Sequence, residues 1–118
     1  MITMNIVVLK GTLSSEPVER TLPSGTTVMD WNLRIQSDGP TQNVPVQWNE
    51  PSRKVQAFDK GDEVFVLGAV QRRFFQAGAS LASRTDVLGA FVATRRQKVA
   101  LNKLVNVARN QLAGIDPG

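Results

Sequence analysis

Hydrophobic and polar positions change rhythm several times along this chain. Ile6-Val7-Val8-Leu9 opens a β-branched run that continues through Lys10, Gly11 and Thr12 to Leu13, which predicts a strand. Gly11 inside that run predicts a bulge or a sharp bend. Ser14-Ser15-Glu16-Pro17 ends it, and a second strand is expected from Val18 to Leu22. Leu22-Pro23-Ser24-Gly25 reads as a turn, because proline presets φ at the second position and glycine suits the fourth. From Thr26 to Gln36 the period is two: Trp31, Leu33 and Ile35 alternate with Asp30, Asn32, Arg34 and Gln36. One face of that strand is buried and the other is wet.

Ser37-Asp38-Gly39-Pro40 is a turn, and Asn43 to Trp48 is a further short strand, with Pro45 limiting its pairing. Asn49-Glu50-Pro51 looks like a helix start, with an Asn cap, an early acid and an early proline. That helix would turn Val55 and Phe58 inward and stop near Lys60, before Gly61. Asp62 to Phe75 is a long strand with Gly68 in its middle, Gln76 to Ser80 a loose loop, and Leu81 to Val92 the last strand. Thr94-Arg95-Arg96-Gln97 then matches a capping box, in which Thr reaches forward and Gln reaches back. Beyond it the period becomes helical: Leu101, Leu104, Val105, Ala108 and Leu112 form a stripe, and Lys98, Asn102, Asn106 and Arg109 lie off it.

Three strands, then a strand and a short helix, then two strands, then a helix: this order predicts an all-β fold. Specifically it predicts a five-stranded OB-fold barrel with a short helix between strands 3 and 4 and a C-terminal amphipathic helix. Internal glycines suit the bending of long barrel strands. The division expected is residues 1–93 for the barrel and 94–118 for the helical extension.

Composition narrows the chemistry. Among 118 residues there is no cysteine and no histidine. Thiol nucleophiles, His bases and His/Cys metal sites are therefore excluded, and no clustered carboxylates carry Ca²⁺ spacing. Asp62 and Glu63 are neighbours on a strand and point apart, so no catalytic carboxylate pair is expected and no enzyme. No cofactor or metal is expected. No apolar run approaches the roughly 20 residues that span a bilayer. The opening Met1-Ile2-Thr3-Met4-Asn5 lacks a basic region, so neither a membrane partner nor a signal peptide is expected, and the expected location is the bacterial cytoplasm, beside the nucleoid.

The formal net charge is +4, which favours polyanions. Its distribution is uneven. Residues 1–86 hold nine cations and nine acids, whereas after Asp86 there are five cations (Arg95, Arg96, Lys98, Lys103, Arg109) and one acid, Asp116. A nucleic-acid path on the barrel would have to be a local stripe.

The residues resemble those of the bacterial single-stranded DNA-binding protein family. Ile6 to Leu13 with Glu16-Pro17 is similar to that family's opening strand and turn, and Arg20 to Gly25 to its hairpin. Trp31-Asn32-Leu33 is similar to its aromatic-x-Leu pattern, and Val46-Gln47-Trp48 to the strand that ends in an aromatic before the helix. Lys60 to Gly68 is similar to its Lys-Gly turn and following strand, and Arg72-Arg73-Phe74-Phe75 to the basic, aromatic end of that strand. The likeness spans roughly residues 4–92. It implies an oligomer, a tetramer before a dimer, that wraps single-stranded DNA without reading sequence and serves replication, recombination or repair. Trp48 and Phe75 fall where family members stack bases. Gln71 and Arg73 would share the face of Phe75, and Lys10, Thr12, Asn32 and Arg34 would occupy wet faces of earlier strands.

Two departures stand out. Gln42 stands near a position where the family carries another stacking aromatic, which predicts fewer platforms. The family's acidic, hydrophobic tip is replaced by a basic helix and Ile115-Asp116-Pro117-Gly118, so recruitment of repair proteins through such a tip is not expected.

Each candidate has an ordinary reading beside the functional one. Stacking on Trp48 or Phe75 is worth ~1–3 kcal/mol per base, but aromatics are commonly core. Trp31 shares its face with Leu33 and Ile35 and reads as core. Of Arg72 and Arg73 one alone can follow the DNA, since neighbours on a strand face opposite ways, and Arg73 is preferred. Lys10, Arg34, Arg53 and Arg84 are further phosphate contacts, or plain solvated cations. The helical stripe needs cover, from the barrel or from another subunit. Two competing functions remain: an OB-fold module for RNA or primosome-type assembly, and an oligomeric protein-interaction barrel whose DNA face has decayed.

Overall fold

The fold is described by a computed structural model covering residues 4–114. The elements in order are β1 (Val7–Leu13), β2 (Val18–Thr21), β3 (Thr27–Ile35), β4 (Gln42–Asn49), α1 (Arg53–Gln56), β5 (Glu63–Ala77), β6 (Ser80–Ala93) and α2 (Lys98–Ala113). Five strands close a ring in the order β1-β5-β6-β4-β3, with β1 returning to β3, while β2 hangs on the outer edge of β3. Every pairing is antiparallel except β4 with β6. The closure between β1 and β3 is short, with Thr12 opposite Arg34 and Leu13 opposite Leu33. The architecture is therefore all-β with a closed sheet and two helices.

The period-two pattern decides what fills the ring. Met29, Trp31 and Leu33 of β3, Val46 and Trp48 of β4, and Val64 and Val66 of β5 point inward and are buried. Trp31 is the hub, with the Trp48 ring 5.0 Å away at 62° and the Phe58 ring 5.6 Å away at 73°, both edge-on. On the outside of β5 and β6, Leu67, Ala93 and Leu104 form a second buried cluster, joined by Ile6, Phe65, Phe91, Leu101, Val107 and Ala108. This cluster is how α2 docks on the barrel.

Local chemistry explains where the elements end, and differs from expectation at four places. The helix before β5 is capped by Ser52, whose Oγ accepts from the Val55 N–H at 3.3 Å, and not by Asn49. Asn49 still belongs to β4 and Glu50 has φ 47°, outside the right-handed helical region, so the chain enters the helix later and α1 is a single turn. Gln76 to Ser80 is not a loose loop. β5 and β6 stay paired to Ala77 opposite Ser80, joined by Gly78-Ala79 with Gly78 at φ 62°. Glycine supplies that positive φ, so a two-residue hairpin turn is available. Only half of the Thr94 capping box forms: the Gln97 side chain accepts from the Thr94 N–H, but Thr94 does not reach forward and α2 begins at Lys98. Finally, the buried stripe of α2 centres on Leu104, flanked by Leu101, Val107 and Ala108, while Val105 and Leu112 are exposed. The barrel wall meets one narrow strip of the helix, and these two residues fall beyond it.

The consequence for function is a long β5–β6 arm. From Gln71 opposite Asp86 onward the two strands pair only with each other and run beyond the ring as a ribbon that turns at Gly78. No helix among the described residues is long and apolar enough to cross a membrane. The terminal Ile115 to Gly118, on which the expectation about recruitment through an acidic tip falls, and the opening Met1 to Thr3 lie outside the described residues.

Candidate nucleic-acid interface

Strand alternation and register sort the arm into two faces. Gln71, Arg73 and Phe75 of β5 lie opposite Asp86, Arg84 and Ala82 of β6, so these six side chains share one side. Arg72 and Phe74 lie opposite Thr85 and Ser83 on the other side. There the Arg72 guanidinium donates to the Ser83 hydroxyl at 3.0 Å and sits 5.6 Å from the Phe74 ring centre. Phe75 is 48% exposed. It borders a hollow lined by Arg20, Asp30, Arg73, Phe74 and Arg84, where the arm meets the outer surface of β2 and β3.

The charges of this hollow are largely paired internally. Arg73 Nη2 lies 2.5 Å from Asp86 Oδ2, and the Asp86 side chain is only 2% exposed. Arg20 Nε lies 2.5 Å from Asp30 Oδ2. The hydrogen bond from Arg20 to Asp30 holds its guanidinium above its ordinary pKa, so it stays cationic throughout. Arg84 has no carboxylate partner among the described residues. Two arginines are thus balanced by two aspartates, and Arg84 supplies the uncompensated charge. Beside them runs a row of amides: Gln71 donates to Gln47 at 3.2 Å, and Gln47 donates to Asn49 at 3.0 Å. These amides cover the outer side of β4 and leave Gln47 buried.

A second group forms at the β1–β3 seam. Lys10, Thr12 and Arg34 line one hollow with Gly11, Gln36 and Glu63. Glu63 is engaged by Arg95, Nε to Oε1 at 3.0 Å. Asn32 is exposed on the outer side of β3, and its backbone carbonyl accepts from Ser14. Arg53 is exposed on α1, away from both hollows.

Trp48 requires a correction. It is 4% exposed, with its ring packed on Trp31 inside the barrel, so it offers no surface to a base. Alternation is the reason: Val44, Val46 and Trp48 share the inward side of β4, and Val46 is buried. Arg73 also differs from the free phosphate contact expected, because Asp86 already holds it. Sequence reading missed Arg20, Asp30, Phe74 and Asp86. Arg20 and Asp30 are legible as outward positions of β2 and β3. Asp86 is not, because its pairing with Arg73 depends on the two-residue turn that sets the arm's register. Among the described residues no group of acidic side chains could hold a metal ion.

No protein-family model matches the chain, and no curated protein matches it significantly in sequence.

Proposed function

We propose that this chain is a non-sequence-specific single-stranded DNA-binding protein built on an OB-fold barrel, without catalytic activity. In chain order the ring strands are β1, β3, β4, β5 and β6, and α1 lies between the third and fourth, as in that fold. The reading is carried by one observation: a half-exposed phenylalanine, Phe75, beside Arg84, which has no carboxylate partner among the described residues, on a projecting ribbon. A ring lying open at the surface accepts any base by its π-face, and a neighbouring cation takes the phosphate. Lys10, Thr12 and Arg34 at the seam supply a further polar, cationic stretch. The resemblance to the single-stranded DNA-binding family adds a homo-oligomer, a tetramer before a dimer, over which a longer strand gains by effective concentration.

The test is anisotropy of a labelled oligo-dT across a salt series, with oligo-U and duplex DNA as comparators. The expected result is binding of oligo-dT that weakens log-linearly with salt, and much weaker binding of duplex. Preference for oligo-U would move the chain to RNA. Absence of binding to any of the three at low salt overturns the proposal.

A second reading has its own support. With Trp48 inside the barrel, Arg20 and Arg73 neutralised, and Val70, Phe74 and Leu81 exposed, the barrel also fits a protein-interaction module whose nucleic-acid face has decayed. The same titration separates the two.

A further inference from the structure

A third hollow lies between α1, the end of β6 and α2. It is lined by Ser52 and Lys54, by Trp48 and Phe91, and by Lys103. No carboxylate lines it, and neither lysine has an ion-pair partner among the described residues. The Lys103 ammonium lies 5.7 Å from the Phe91 ring centre, a cation held over an aromatic face and not against an acid. Both buried indole N–H groups, of Trp31 and Trp48, lack a hydrogen-bond partner, and Trp48 is the one on this wall. The contrast with the Phe75 hollow is electrostatic. There two of three arginines are cancelled by aspartates, whereas here no carboxylate among the described residues cancels the charge. α2 adds to it, since Lys98, Lys103 and Arg109 are accompanied by no acid between Lys98 and Ala113.

We propose that this α1–α2 hollow is a second contact for the single strand, with Lys54 and Lys103 taking phosphates on either side of Phe91. The proposal rests on the single-strand reading above. β6 connects the two places directly. Arg84 and Phe91 lie on its outer side seven residues apart, because the bulge leaves Ala90 unpaired and shifts the alternation by one, and six paired steps at about 3.3 Å span roughly 20 Å. A strand held at Phe75 and Arg84 must therefore be several nucleotides long before it reaches Lys103. Short and long oligomers separate the two contacts.

The experiment compares wild type with the double variant Lys54→Gln/Lys103→Gln, using oligo-dT of about 4 and about 16 nucleotides, the span a single OB barrel covers. The expected result is unchanged affinity for the short oligomer. For the long one, affinity falls and the log–log salt slope becomes shallower by roughly 1.4, two contacts at about 0.7 each. Lys54→Arg/Lys103→Arg should restore both, which also answers any loss of folding in the Gln variant. Unchanged long-oligomer binding by the folded Gln variant, or an equal loss for both lengths, overturns the second contact and leaves the single-strand reading standing. A wild-type protein that binds neither oligomer overturns both.

Discussion

The ring of Trp48 lies directly against the bare Cα of Gly89: a methyl group there would sit 2.7 Å from three atoms of the indole. That contact lets a tryptophan enter a narrow barrel, and it explains why Trp48 belongs to the core. Gly89→Ala should destabilise the fold by ~1–3 kcal/mol, the usual cost of overpacking. Urea unfolding checks this, with a lowered midpoint at unchanged slope as the expected outcome.

The two aromatics paired by the family resemblance should separate cleanly on mutation. Phe75→Ala should leave stability nearly unchanged and weaken oligo-dT binding by ~1–3 kcal/mol. Trp48→Ala should cost ~3–5 kcal/mol of stability, because it empties the centre of the barrel. Anisotropy of a labelled oligomer and thermal melting read the two effects. Intrinsic fluorescence is a poor reporter of the Phe75 contact, since both tryptophans are buried in the barrel and neither lines that hollow.

Arg73 and Asp86 should respond asymmetrically. Arg73→Ala strands a carboxylate that is 2% exposed, and removing one partner of a buried pair costs about 3–5 kcal/mol. Asp86→Asn does the reverse: it leaves a partly exposed guanidinium without its counter-charge, free to meet a phosphate. Oligo-dT affinity at low salt should rise, and the salt slope should steepen by about 0.7. Salt-dependent titration of the folded variant checks this. An unaltered slope would mean that Arg73 stays out of the path.

Arg84 is the uncompensated cation of the Phe75 hollow. Arg84→Ala should reduce the salt slope by about 0.7 while leaving the melting temperature within a degree or two, because no ion pair among the described residues is lost. The measurement is the same titration, alongside a thermal melt.

Leu104 is the buried centre of the strip by which α2 meets the barrel, packed with Leu67 and Ala93. Leu104→Ala should cost ~2–5 kcal/mol if barrel and helix unfold together. Hydrogen exchange distinguishes that outcome from selective loss of protection in α2.

The all-β character, the succession of strands and helices along the chain and the inward side of β3 were determined by the sequence itself. Period two is a local property, and Trp31-x-Leu33-x-Ile35 and Val44-x-Val46-x-Trp48 carry it openly. Read strictly, that same alternation also puts Trp48 inside, although a family likeness argued for the surface. Gly78 was visible as a turn residue, yet not the tight turn that keeps β5 and β6 paired to their tips. What only the tertiary structure decided is which charges remain available. Arg20, Arg73 and Arg84 look alike along the chain. Asp30 and Asp86 reach the first two through cross-strand register, and Lys54 and Lys103 line one hollow only because α2 folds back on the barrel. Charge compensation acts over a few ångströms between residues far apart in the chain, so no local pattern encodes it.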